Sequence, residues 1–344
     1  MEMLDPQPDE RLIDPSCGTG GFLITAMNHA LAHIDKRERD NWMDESKGTD
    51  EERRELYHAQ DEYLRECVFG LDLNPGLVRA AKMNMVMNND GSAGLWQANS
   101  LANPRTWTSG ADKRVMLGSF DVIVANPPFG ANIVIDDEEI LSQYELAAMW
   151  DRGSDGQWKI RRNQDGKTVL QKNQPPEILF IERCVQLLRP GGRFALVIPN
   201  GILNNPALGY VRTWLMQNTR ILAVVDMARE LFQPKNDTQT SMVLAQRLTA
   251  EERSAVEEGK FLKYPIFMAS TEYVGHDKRG NVLYKRNDVG DDIMVTRAER
   301  RVVIDPESGV ERFVMVDVSE RMVNDELADV ARAYRERDWM ATGR

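Results

Sequence analysis

Four clusters in this chain have the residue types and spacing to do chemistry together. Asp14-Pro15-Ser16-Cys17-Gly18-Thr19-Gly20-Gly21-Phe22-Leu23 joins a short apolar run to a helical stretch. Its glycines let backbone amides approach a ligand where a Cβ would stand in the way. Asp72 and Leu73 close the next apolar run, and a carboxylate at that position accepts hydrogen bonds from both hydroxyls of a ribose. Gln97-Ala98-Asn99-Ser100-Leu101 follows the third run, and Asn126-Pro127-Pro128-Phe129-Gly130 the fourth. Neither proline donates a backbone hydrogen bond and both restrict φ, so the turn presents the Asn126 side-chain carbonyl and the Pro127 carbonyl as aimed acceptors. Such a pair accepts from an exocyclic NH₂ and turns its nitrogen lone pair out of conjugation. Phe129 offers a flat face on which an extruded base stacks.

The elements that must position these residues alternate in type. Strand-like runs are expected at Arg11–Asp14, Val68–Leu73, Leu95–Ala98, Asp121–Ala125, Arg193–Pro199, Ile221–Met227 and Met242–Gln246. Most are continuously apolar, as strands covered on both faces must be. Helical spacing recurs at Gly21–Ile34, Pro75–Asn88, Pro176–Leu188 and Pro206–Gln217, with prolines where the first turn tolerates them. The pattern predicts an α/β fold: a doubly wound, mainly parallel, seven-stranded sheet.

Three segments break the alternation. Asp35–Glu66 carries 12 acidic and 7 basic residues and is expected to be a solvated helical insertion. Ala131–Asn173 is too long for a plain connection, and Asp165-Gly166 between Gln157–Arg161 and Thr168–Gln171 signals a hairpin. Six basic residues against three acidic ones between 151 and 173 make Lys159, Arg161, Arg162 and Lys167 candidates for contact with a polyanion. Beyond Gln246 the chain is irregular and charged, ending in an expected helix over Ser319–Trp339. The domain reading is a tail at 1–10, a catalytic domain at 11–250 and a partner-contacting extension at 251–344.

Composition limits what this chain does. It has 43 basic and 54 acidic residues, a net charge of −11, which opposes non-specific coating of nucleic acid. No apolar run approaches the roughly 20 residues that span a bilayer, and the acidic start resembles no secretory signal, so a cytoplasmic location is expected. Cys17, Cys67 and Cys184 are scattered, and no disulfide framework or metal site is expected. No cysteine follows a proline, which excludes methylation of cytosine C5.

The glycine-rich string and the Asn-Pro-Pro-Phe turn together resemble the DNA adenine methyltransferases, in the form found in modification subunits of type I restriction-modification systems. Leu188-Arg189-Pro190-Gly191-Gly192-Arg193, Val197–Gly201, Phe232-Gln233, Thr238–Ser241 and the G-x-D-x-x-G of Gly275–Gly280 extend the resemblance over about residues 11 to 290. It implies a Rossmann-like methyltransferase using S-adenosyl-L-methionine. Asp14, Ser16, Gly18, Thr19, Gly20, Gly21, Phe22, Asp72, Leu73, Asn99 and Ser100 would hold that cofactor, although relatives often carry Asp where Asn99 stands. Asn126, Pro127, Pro128 and Phe129 would act on N6 of a flipped adenine.

The resemblance also implies DNA, a specificity subunit and a restriction subunit as partners. The family's helical N-terminal region, with its phenylalanine and threonine-proline element, does not precede Arg11. A truncated chain, or one half of a split protein relying on a separately encoded N-terminal fragment, is therefore expected. The competing readings are a non-catalytic assembly subunit, an N4-cytosine methyltransferase, a protein-glutamine N-methyltransferase and a nicotinamide-dependent oxidoreductase. The last shares the scaffold and Asp72 but gives no reason for Asn126-Pro127-Pro128-Phe129.

Overall fold

A computed structural model describes residues 1–40, 49–88, 94–107, 110–130, 133–260, 262–304 and 311–336. The chain divides into two compact units, one of Met1–Asp226, Thr240–Ala269 and Ala331–Arg344, the other of Met227–Gln239 and Ser270–Val330.

The first unit holds the sheet. All seven expected strands are present: β1 (Leu12–Asp14), β2 (Val68–Asp72), β3 (Gly94–Gln97), β4 (Phe120–Ala125), β5 (Leu188–Pro199), β6 (Thr219–Asp226) and β7 (Thr240–Arg247). An eighth, β8 (Phe267–Ser270), extends one edge and gives the order β8-β6-β7-β5-β4-β1-β2-β3. Its four residues alternate between half-buried and exposed, too short a run to stand out in sequence. β1 pairs in parallel with β2 and β4, β2 with β3, and β4 with β5, while β7 runs antiparallel between β5 and β6. In the register, Asp14 pairs with Gly70, Asp72 with Gln97, and Ile13 with Ile123. All four chemically promising clusters therefore rise from the carboxyl edge of adjacent parallel strands, where ligands bind in open α/β sheets.

Helices cover both faces: α1 (Gly21–Arg39), α2 (Asp50–Cys67), α3 (Pro75–Met87), α4 (Pro176–Leu187) and α5 (Gly209–Asn218), with α6 (Ala250–Glu257) after β7. The expected helix at Pro206 begins as a 3₁₀ turn and becomes α-helical at Gly209. Within the charged insertion, α2 starts in a capping box of Thr49 and Glu52 and buries Leu56, Tyr63 and Leu64, so one face is core rather than solvated. Residues 41–48 of that insertion lie outside the described residues. The first ten residues are not a free tail: Leu4 is buried, and the Arg193 guanidinium donates to the Leu4 carbonyl at 2.6 Å and the Asp5 carbonyl at 2.8 Å.

α4 is buried almost throughout and carries two charged groups inward. Arg183 donates to the carbonyls of Leu101 and Ala102 at 3.1 and 3.2 Å and to the Tyr144 hydroxyl at 2.8 Å. Glu182 accepts the amides of Glu145 and Leu146 at 3.0 and 2.8 Å. These bonds satisfy otherwise orphaned polar groups and fix the loop after β3 and part of the long connection after β4.

That connection is built as a ribbon. Trp150–Arg152 pairs antiparallel with Trp158–Ile160, a hairpin ahead of the expected one. The expected turn at Asp165-Gly166 follows, with Arg162 bridged to Thr168. Trp150 and Trp158 anchor the ribbon, their rings 5.9 and 6.1 Å from that of Tyr210 on α5. A Cβ on Gly209 would come within 2.6 Å of the Trp158 indole nitrogen.

One turn recurs three times. Asn163, Asp277 and Asn287 each accept, through the side-chain Oδ1, the amides two and four residues ahead. Gly166, Gly280 and Gly290 take φ of 77°, 85° and 93° one position before the last amide. The G-x-D-x-x-G segment is thus a turn whose aspartate and second glycine serve its own backbone. It lies in the second unit, with a long hairpin, β9 (Met294–Ile304) and β10 (Glu311–Arg321).

The expected terminal helix is corrected. Ser319–Arg321 completes β10, and α7 spans Leu327–Glu336; residues 337–344 lie outside the described residues. Tyr334 on α7 is buried with its ring edge-on to Phe267 at 5.5 Å.

Candidate active site

The glycine-rich loop is tied down at both ends. Asp14 ends β1 fully buried, and its Oδ1 accepts the Ser16 amide at 2.9 Å. Burial pushes its carboxyl up to about 7, the Ser16 hydrogen bonds acting in the opposite direction. The Cys17 amide donates to the Leu71 carbonyl, and the Asn84 side chain holds the Thr19 carbonyl at 2.9 Å. Gly18 and Gly20 adopt φ of 53° and 85°, the left-handed region that suits glycine. A Cβ placed on Gly18 or Gly21 meets nothing within 4 Å, so this stretch borders open space. Gly20 precedes α1 without a side-chain cap, and the helix has no acidic residue in its first turn. Its leading amides are therefore available to an anionic group.

Asp72 joins the loops. Its Oδ2 accepts the Gly18 amide at 2.9 Å and its Oδ1 the Asn74 amide at 2.8 Å. Each carboxylate oxygen retains a second acceptor site. Leu73 beside it is 65% exposed and Phe22 is 39% exposed, apolar surface bordering the loop.

In the loop after β3, two residues expected at the cofactor also brace the backbone. Asn99 Oδ1, the acceptor expected to hold a ligand amine, takes the Leu101 amide at 3.1 Å. Ser100 is buried and donates to the Pro15 carbonyl at 2.6 Å. Both act here as braces, Ser100 clasping the glycine-rich loop to β3, and Asp14 belongs with them. A local turn and a cross-loop clasp leave no periodic mark in sequence.

Asn126 follows β4 directly, with Pro127 buried, Pro128 exposed and Phe129 half-buried. The Asn126 Oδ1 is buried and has no hydrogen-bond partner. An unmet buried acceptor costs roughly 1–3 kcal/mol, and such strain gathers at functional sites. Glu177 in the first turn of α4, which the sequence pattern did not single out, is a second case: its Oε2 is buried without a partner, and burial pushes the carboxyl above its ordinary range. The crossover from β4 to β5 begins α4 at the same sheet edge. Its only signal in sequence was an acidic residue directly after Pro175-Pro176.

The basic candidates on the ribbon differ in their commitments. Lys159 pairs with Asp155 at 3.3 Å, and Arg161 pairs with Asp151 through two hydrogen bonds. Arg162 donates to the Gly166 carbonyl at 3.0 Å. Among the described residues, neither Arg162 nor Lys167 has a carboxylate partner.

The description of the N-6 DNA methylase family matches residues 1–289. The chain belongs to that family. It is 26% identical to the StySPI methylase subunit of a Salmonella potsdam type I restriction enzyme over 234 residues, 67% of this chain and 35% of the relative. The EcoKI methylase subunit of Escherichia coli K12 gives the same identity and coverage. The chain thus spans about a third of the length of these curated relatives. Among solved structures, the DNA-bound type ISP restriction-modification enzyme LlaBIII shares the fold, with a TM-score of 0.50 and 12% identity over 81% of this chain and 20% of that one.

S-adenosyl-L-methionine is the cofactor of N-6 DNA methylases, and the residues present fit it. Open space at Gly18 and Gly21 admits a ligand against the backbone, Asp72 keeps acceptors for ribose hydroxyls, and Leu73 offers apolar surface for adenine. When bound, that molecule supplies an electrophilic methyl group. Among the described residues no helix is long and apolar enough to cross a membrane.

Proposed function

We propose that this chain is the catalytic core of an adenine-specific DNA methyltransferase, transferring a methyl group to N6 of a flipped adenine as the modification subunit of a restriction-modification complex. The observation that carries this reading is the buried, unpartnered Asn126 Oδ1 at the end of β4. An adenine N6 amine donates one hydrogen to that oxygen and the other to the Pro127 carbonyl. Holding both hydrogens draws the lone pair out of the ring's conjugation, making the nitrogen a nucleophile. Phe129 stacks on the extruded base, and Gly18, Gly20, Gly21, Phe22, Asp72 and Leu73 hold the cofactor.

Base readout and full DNA affinity come from partners in this proposal: a specificity subunit, a restriction subunit and a separately encoded N-terminal fragment. A net charge of −11, opposed to phosphate binding, supports that division. The ribbon carrying Lys159, Arg161, Arg162 and Lys167 is the DNA-facing loop. The test is N6-methyladenine formation on plasmid DNA, read by mass spectrometry of the digested product. The wild-type chain with partners methylates and Asn126→Ala does not; equal methylation by the two would overturn the assignment.

A further inference from the structure

Away from the sheet edge, three potential ligand atoms converge where the segment before β1 meets α1. The Asp5 Oδ1 lies 2.8 Å from the His29 Nε2 and 3.1 Å from the His33 Nε2, and the two nitrogens are 3.2 Å apart. His29 and His33 stand four residues apart on α1, one turn above the other, an H-x-x-x-H spacing at odds with the expectation of no metal site. Among the described residues this is the only grouping of three or more His, Cys, Asp or Glu side chains with ligand atoms so close together.

Protons alone do not satisfy this triangle. Each Nε2 has one in-plane position, filled by an N–H or by a lone pair. With both nitrogens protonated toward Asp5, the 3.2 Å approach of one ring to the other sets donor against donor. With one deprotonated, its lone pair faces either the carboxylate oxygen or the other ring, and one edge stays unmet. A cation that takes a lone pair from all three atoms satisfies every edge at once. A tetrahedral ion held at about 2.0–2.1 Å by nitrogen and oxygen spaces its donors about 3.3 Å apart, close to the 2.8–3.2 Å edges here.

The backbone carrying Asp5 is fixed independently of the histidines. Arg193 holds the Leu4 and Asp5 carbonyls and is itself gripped by Glu10 at 2.6 and 2.7 Å. Leu4 is buried, and Asp5 takes a left-handed φ of 46°, one that aspartate tolerates better than most residues. These interactions present the carboxylate to one face of α1, the helix that begins in the glycine-rich loop.

We propose that Asp5, His29 and His33 bind a divalent transition-metal ion of the zinc class, with water completing the coordination. Two imidazoles and a carboxylate are a donor set suited to zinc, and the ion staples the segment preceding β1 to α1.

Zinc chloride titrated calorimetrically into the untagged full chain tests this. One Zn²⁺ binds per chain, and His33→Gln or Asp5→Asn weakens it by about tenfold or more, since loss of even outer partners costs 10–100-fold. Asp5→Asn replaces an exposed side chain by its isostere and tests the site even if a histidine variant misfolds. Co²⁺ in place of Zn²⁺ should give visible absorption bands more intense than those of the aqueous ion, absent in the His29→Gln/His33→Gln double variant. Bound Zn²⁺ should raise the melting temperature of wild type and not of that variant. Equal Zn²⁺ affinity in wild type and double variant, owed then to His58 and His276, would overturn the proposal, as would Co²⁺ spectra no different from the free ion.

Discussion

Gly18 donates its amide to Asp72 Oδ2 across 54 residues of sequence, at 2.9 Å. One carboxylate thus fixes a glycine in the loop after β1 while standing at the end of β2, and Asn74 occupies its other oxygen at 2.8 Å. The residue proposed to grip the ribose also shapes the loop beside it.

Asp72→Ala removes both roles. A hydrogen bond to a charged group contributes roughly 1.5–3 kcal/mol, so S-adenosylmethionine affinity should fall by one to two decades, measured calorimetrically. Asp72→Asn keeps an acceptor for one amide and should lose less. An unchanged dissociation constant in Asp72→Ala would remove Asp72 from the site.

Asn126→Ala should separate stability from function. The buried Oδ1 has no partner, so deleting it relieves a desolvation cost of roughly 1–3 kcal/mol while opening a small cavity. The urea midpoint should hold or rise slightly and cofactor affinity should stay within a few-fold, while methylation is lost. A large drop in stability would mean that the amide supports the fold rather than awaiting a ligand.

Much of this site was readable from residue types. β1, β2 and β4 are buried nearly continuously, and glycines and prolines at their ends mark the turns. Side chains serving other loops were not readable. Ser100 clasps Pro15 across 85 residues, and Arg183 reaches Leu101 across 82. Nothing local distinguishes such a serine or arginine from a solvated one. Strands as short as β8 and the boundary between β10 and α7 depend on tertiary pairing that periodicity does not encode.

Two buried carboxyls set a pH dependence. Burial raises Asp14 and Glu182 to about 7, while the unfolded chain ionises near the ordinary value of about 4. Between those values the folded state holds protons that the unfolded state has released, so stability falls as pH rises from about 4 to about 7 and then levels. Urea midpoints across that range should show a shallower decline in Asp14→Asn than in wild type. A parallel decline in the two would mean that Asp14 does not titrate there.

The ribbon's cations should contribute unequally to DNA binding. Lys159 and Arg161 already face Asp155 and Asp151, so reaching a phosphate costs them an ion pair, although exposed pairs are worth at most about 1 kcal/mol. Arg162 and Lys167 carry no such commitment among the described residues. Every phosphate that a variant no longer neutralises lowers the slope of log affinity against log salt by about 0.9. Arg162→Ala/Lys167→Ala should therefore flatten the slope by nearly 2 in the reconstituted complex, measured by fluorescence anisotropy, and Arg161→Ala by less than 1. Because Trp150 and Trp158 hold the ribbon against Tyr210, Gly209→Ala, whose Cβ crowds Trp158, should weaken DNA binding without touching a charge. A slope unchanged by the double variant would take the ribbon out of the DNA interface.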